Sequence, residues 1–155
     1  MGSPEVALPA ATAIHIAIGN AQARQAETES VGAQQLTSVV HPDASVSASA
    51  QIGAGCFVAA RSVVAPQARL GTGVIVNHGA VIDHDAEVGD FCHVAPNATL
   101  GGNVQVGKRV LVGAGASVLP GLSICDDVTV GAGSVVIASI TAVGIYAGVP
   151  ARRVR

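Results

Sequence analysis

The sequence predicts an all-β fold in the form of a solenoid, a coil that turns a corner once in every six residues. Aliphatic residues recur at each sixth position from Val40 to Val136 without a slip, seventeen in all. Neither the 3.6-residue period of a helix nor simple alternation along a short strand yields a period of six, so each repeat must form one side of a coil. Aromatic residues are only 2% of the 155 and Trp is absent, so stacked rungs of Val, Ile, Leu and Ala must fill the interior in place of large rings.

From the N-terminus, residues 1–13 are rich in Pro and Ala and are read as disordered or as left over from expression, with Met1-Gly2-Ser3 typical of the latter. Ile14 to Gly19 reads as a buried strand. Asn20 is placed to cap a helix running to about Gln35, with Ala21, Ala23, Arg24, Glu27 and Glu29 as ordinary helix formers.

The repeats occupy residues 37–140. Four positions after each aliphatic anchor the side chain is small or aliphatic, as at Cys56, Ser62, Ala68, Val74, Ala80, Ala86, Cys92 and Ala98. That position lies two residues before the next anchor, so both point to the same side, the interior. Each hexapeptide then reads as three strand residues and three turn residues. Gly often follows the anchor directly, at Gly53, Gly71, Gly89, Gly101, Gly107, Gly113 and Gly131. Such a corner is expected to need positive φ, and Ala59, Asn77, Asp83 and Ala95 at the same place imply corners that bend differently. Beyond Ile137 the repeat fades, and residues 141–155 are read as a C-terminal tail with three arginines at its tip, Arg152, Arg153 and Arg155. That tip is either solvated or a contact for phosphates.

Composition narrows the function classes. A net charge of −2 with no basic cluster among the repeats argues against nucleic acid. No apolar run approaches the roughly 20 residues of a membrane span and no signal peptide is evident, so a cytoplasmic protein is expected. Cys56 and Cys92 at interior positions and Cys125 at a corner read as free thiols.

Two segments carry a resemblance. Val76-Asn77-His78-Gly79-Ala80-Val81-Ile82-Asp83-His84-Asp85, followed by Gly89-Asp90-Phe91-Cys92-His93-Val94-Ala95-Pro96, resembles the hexapeptide-repeat sugar acetyltransferases. These include sialic acid O-acetyltransferase and the N-acetyltransferase of UDP-linked 4-amino sugars. The closing Gly148-Val149-Pro150-Ala151-Arg152 is similar to the Gly-x-Pro-Ala-Lys/Arg tail of acetyl-CoA users with this fold. The resemblance implies a left-handed parallel β-helix, a homotrimer, no metal, and acetyl transfer from acetyl-CoA to an amine or a hydroxyl of a small sugar acceptor, a nucleotide-linked amino sugar or a sialic acid, for cell-surface glycan synthesis. It also implies that residues 14–36 are the remnant of an N-terminal nucleotide-sugar domain.

The resemblance further assigns His84 as the catalytic base and Asp85 as the acid that orients it, with Asp83 as the rival carboxylate. Asn77 matches an acceptor-contacting position, and His93 one near the thioester. Three hexapeptides make one coil, so residues 18 apart stack. Pro66, His84, Gly102 and Pro120 therefore share one column, where Gly102 is expected to leave a vacancy beside His84 for the pantetheine arm. His78, Pro96, Ala114 and Ala132 form a second column, with Ala114 and Ala132 at cofactor positions. His84 and His93, nine apart, are expected on opposed sides of one coil, so they could meet only across two chains. His78 is read as a turn or acceptor-rim residue, His41 as the start of the first coil, and His15 as packing. A zinc hydrolase of the carbonic anhydrase type needs three converging histidines, and the 37, 6 and 9 residue intervals between His41, His78, His84 and His93 do not match it. A non-catalytic β-helix scaffold is the other alternative.

Overall fold

The computed structural model describes residues 13–154, so the reading of residues 1–13 lies, but for Ala13, outside the described residues. The chain is a β-solenoid. Among the described residues the strands form sheets of eight, six and five strands. Pairing joins residues 18 apart, as in Ile75, His93 and Leu111, so three hexapeptides make each coil. Backbone N–H groups reach the next coil, for example Val39 N to Cys56 O at 2.8 Å and His93 N to Val110 O at 2.9 Å. Every coil thereby satisfies the polar backbone of its neighbour.

The anchors are the core. From Val58 to Val136 they are all buried, together with Cys56, Ala68, Val74, Ala80, Ala86, Cys92 and Ala98. Each fully buried Val contributes about 1.5–3 kcal/mol. The first coil is different. Val40 is 44% exposed and Ile52 half-buried, because no coil lies beneath them among the described residues.

Two expectations about the repeat need correction. Most strands are two residues long rather than three, ending on the anchor. The glycines that follow the anchor do not supply positive φ. From Gly55 to Gly133 it is the third residue after each anchor that is left-handed, at φ between +55° and +72°, whether Gly, Asn, Asp, Arg, Gln or Phe. Corners with and without a post-anchor Gly therefore share this turn. The post-anchor glycines serve close approach between coils instead. A methyl on Gly53 would stand 2.6 Å from the carbonyl of Gly71, and one on Gly89 would stand 2.6 Å from the oxygen of Gly107.

The three outward faces differ in chemistry. The eight-stranded face presents Val39, Phe57, Ile75, His93 and Leu111; the six-stranded face presents Ser45, Val63, Val81 and Thr99; the five-stranded face presents Gln51, Arg69, Glu87 and Gln105.

Residues 14–36 lie against the eight-stranded face. Ile14 to Gly19 is not a strand. Only Ile14 makes a bridge, to Leu36, and the carbonyls of Ile18 and Gly19 are taken by a side chain, that of Arg24. The helix runs Ala21–Val31, shorter than expected. Asn20 caps it as expected, its Oδ1 accepting from Ala23 N at 2.9 Å. Gly32 ends it with φ of +84°, donating its N–H to Thr28 O.

At the other end, residues 141–154 fold back on the coil. Gly144–Ala147 extends the eight-stranded sheet beside Val128–Val130, with partners 16 rather than 18 residues apart, and Arg152–Arg153 returns antiparallel. Among the described residues no helix is long and apolar enough to cross a membrane.

Candidate active site

His84 sits on the corner between the six-stranded and five-stranded faces, just after the strand Val81–Ile82. Its Nδ1 lies 2.9 Å from Asp85 Oδ2. Asp83 has a different task, accepting the His84 backbone N–H at 2.7 Å through Oδ1. Asp85 is the left-handed residue of this corner, at φ +58°, and this turn directs its carboxylate onto the adjacent ring. The imidazole is exposed, and its pKa is raised, first by the hydrogen bond to Asp85 and then by the charge of Asp83. With Nδ1 held by a carboxylate as its donor, Nε2 is the atom left to accept a proton.

Gly102 lies one coil above His84, but no vacancy is left there. A methyl on Gly102 would stand 2.5 Å from His84 Nε2 and 2.6 Å from Cε1. The ring itself occupies the space that a side chain would take, which corrects the expected opening.

Asn77 and His93 meet. Asn77 Nδ2 is 3.1 Å from His93 Nε2, while Asn77 Oδ1 accepts the His78 backbone N–H at 2.8 Å. An amide oxygen that takes a backbone N–H leaves the amide nitrogen facing His93, and that nitrogen can only donate. His93 Nε2 is therefore the unprotonated nitrogen and Nδ1 carries the proton. The pKa of His93 is lowered, first by burial and then by the charge of Arg24, so the ring is neutral near pH 7. It faces two cavities. One, of about 300 Å³, lies between Ile16, Ile18, Phe57 and Ile75; the other, of about 220 Å³, is lined also by Gly19, Arg109 and Asp127.

The remaining site residues are dispersed. His84 is at a corner and His93 on the face opposite that corner, so one chain does not bring them together. Ala114 and Ala132 are exposed in the column above His78 and Pro96. His78 lines a cavity of about 490 Å³ with His41, Asp43 and Arg61. His41 stands at the first corner, and His15 packs on Phe57 with ring centroids 6.0 Å apart. Among the described residues no three His, Cys, Asp or Glu converge on a metal position. Cys56 and Cys92 are buried free thiols, pushed by that burial up to about 11 and about 12.

Sequence reasoning missed one residue next to the site. Arg24, read as an ordinary helix former, is 1% exposed and reaches the coil under His93. Its lone place in a polar helix pattern carries no signal of this. The Asn77–His93 contact, in contrast, was available: 77 lies two past residue 75, the partner of 93.

Comparisons with known proteins agree with the geometry. Residues 103–138 match the family model described as bacterial transferase hexapeptide (six repeats). A search of curated proteins finds no match. Among solved structures, the acetyltransferase domain of PglB from Neisseria gonorrhoeae is 38% identical with a TM-score of 0.88, covering 90% of this chain and 69% of that one. PerB from Caulobacter crescentus, solved in complex with CoA and GDP-perosamine, is 38% identical with a TM-score of 0.87, covering 90% of this chain and 68% of that one. A mutant of AntD, an N-acyltransferase from Bacillus cereus, is 21% identical with a TM-score of 0.71, covering 84% and 88%, and shares the fold. With stacked hexapeptide coils throughout and 38% identity to the PglB domain over 90% of its length, this chain belongs to the hexapeptide-repeat sugar acetyltransferases.

Proposed function

We propose that this chain transfers an acetyl group from acetyl-CoA to the amine of a nucleotide-linked amino sugar used for a cell-surface glycan. The observation that carries the reading is the His84–Asp85 pair, Nδ1 to Oδ2 at 2.9 Å, with Nε2 free at an exposed corner. The solved relatives support the choice of donor and acceptor, since one form of the PglB domain is in complex with acetyl coenzyme A and PerB is in complex with CoA and GDP-perosamine.

In this mechanism the thioester supplies the acetyl group. The acceptor amine must lose a proton as its nitrogen bonds to the carbonyl carbon, and His84 Nε2 takes that proton. Asp85 holds the ring in the tautomer with the proton on Nδ1 and stabilises the imidazolium that forms. His84 then returns the proton to the departing sulfur as the C–S bond breaks. Ala114 and Ala132, exposed and small, leave a strip along the stack that fits an extended donor. His93, whose Nδ1–H has no acceptor among the described residues, borders the donor, and Asn77 borders the acceptor.

The active site lies between neighbouring chains of a trimer in this reading, His84 of one chain facing the His93 face of the next. Mixed trimers of His84→Ala and His93→Ala chains test it: activity above both parents is expected, and no rescue in verified mixed trimers contradicts the shared site. The protein works in the cytoplasm, where acetyl-CoA and nucleotide sugars are available. Calorimetric titration with acetyl-CoA tests the donor. About one saturable site per chain is expected, and a folded protein that binds none would contradict the transferase reading.

A further inference from the structure

Arg24 is the least expected side chain in the molecule. It lies in the first turn of the helix, is 1% exposed, and has no carboxylate partner among the described residues. Its five N–H donors go to five backbone carbonyls. Nε donates to Gly73 O at 2.7 Å, Nη1 to Ile18 O at 2.7 Å and Gly19 O at 2.9 Å, and Nη2 to Phe91 O at 2.6 Å and Cys92 O at 3.3 Å. A buried cation is costly unless every donor is satisfied, and a Leu or Met of similar reach would hold a helix against this apolar face without that cost. The carbonyls it gathers show what it does.

Three of them belong to two successive corners of the coil, and Phe91 and Cys92 are the residues immediately before His93. The other two belong to the arm, and Gly19 lines both cavities that His93 faces. One planar group thus ties the backbone that launches His93 to the segment that walls it. We propose that Arg24 is a positioning residue for His93, setting the ring's place between the arm and the eight-stranded face. Its positive charge also opposes protonation of His93. The other groups around that ring are His15 on the arm, Asn77 on the coil below, and the paired Arg109 and Asp127 on the coils above. The Asp90–Lys108 pair sits on the neighbouring corner and Cys92 stays a neutral thiol. Arg24 is the one cation among these whose partners are all neutral.

The kinetic part of the test rests on the acetyl-transfer reading; the spectroscopic part does not. The full-length chain is titrated by NMR of its imidazole resonances, as wild type, Arg24→Lys and Arg24→Met, with circular dichroism to confirm folding. In the wild type His93 is expected to titrate below the ordinary value of about 6.5, with its proton on Nδ1. Arg24→Met raises that midpoint. Arg24→Lys keeps the charge but loses the fork, so the midpoint moves less than in Arg24→Met, while kcat/KM falls about a hundredfold from misplacement of the ring. A wild-type His93 that titrates at or above the ordinary value overturns the proposal without any variant. So does a folded Arg24→Met protein whose His93 midpoint and kcat/KM match the wild type, and so does Arg24→Lys with wild-type kcat/KM. Absence of transfer by the wild type would sink the activity reading and leave the His93 titrations to decide this one.

Discussion

Asp85 Oδ2 lies 2.9 Å from His84 Nδ1 although the two residues are adjacent in sequence, because Asp85 occupies the left-handed position of its corner. In an extended strand neighbouring side chains point to opposite faces, so the contact depends on the turn. The carboxylate favours the protonated ring and raises the pKa of His84. A base works in its unprotonated form, so the acidic limb of kcat/KM against pH is expected above the ordinary histidine value of about 6.5. Asp85→Asn moves that limb to lower pH and reduces the plateau rate. A limb that stays in place would remove Asp85 from the mechanism.

Gly102 makes a second prediction. Its hydrogen faces the His84 ring, and a methyl there would overlap Nε2 and Cε1. Gly102→Ala therefore turns the imidazole away from its corner, and kcat is expected to fall about a hundredfold with the fold retained. A crystal structure or NMR spectrum of the variant checks the ring position, and wild-type kcat would show that the packing does not matter for catalysis.

The cysteines are predicted to be unequal. Burial pushes Cys56 up to about 11 and Cys92 up to about 12, and their S–H groups donate to Gly71 O and Gly107 O. A thiol reagent at pH 8 should modify the half-buried Cys125 in the native protein and reach the other two only on unfolding. Rapid native modification of Cys92 would show that the coil beneath Arg24 opens.

The glycines separate two kinds of constraint. Gly71→Ala would put a methyl 2.5 Å from Asp90 Oδ1 and 2.8 Å from Asp90 N, a clash between coils that should cost about 2–3 kcal/mol. Gly121→Ala meets nothing within 4 Å and keeps only the strain of φ +72°, about 1 kcal/mol. Denaturant unfolding should rank them in that order, and equal stabilities would mean that the coils can spread to admit a side chain.

The period of six made the solenoid legible, since the anchors and the residues two before them had to share the interior. The helix start at Asn20 was legible for the same local reason, a side-chain acceptor placed before a run of helix formers. The role of the post-anchor glycines was not, because Gly serves close approach and positive φ equally well and only the coordinates distinguish them. The direction of the His84 ring was hidden too: the column of residues 18 apart placed Gly102 beside it, but whether the ring or a ligand takes the space depends on a side-chain rotation. Arg24 was beyond reach, since carbonyl acceptors are carried by every residue and leave no mark in sequence.

Acetyl transfer by wild type and by the His84→Ala variant, followed as CoA thiol release with a panel of nucleotide-linked amino sugars, tests the central claim most directly. Wild-type protein is expected to release thiol with at least one acceptor. The variant should bind acetyl-CoA as the wild type does and lose between about a hundredfold and ten-thousandfold in kcat. A variant with full activity would contradict the account.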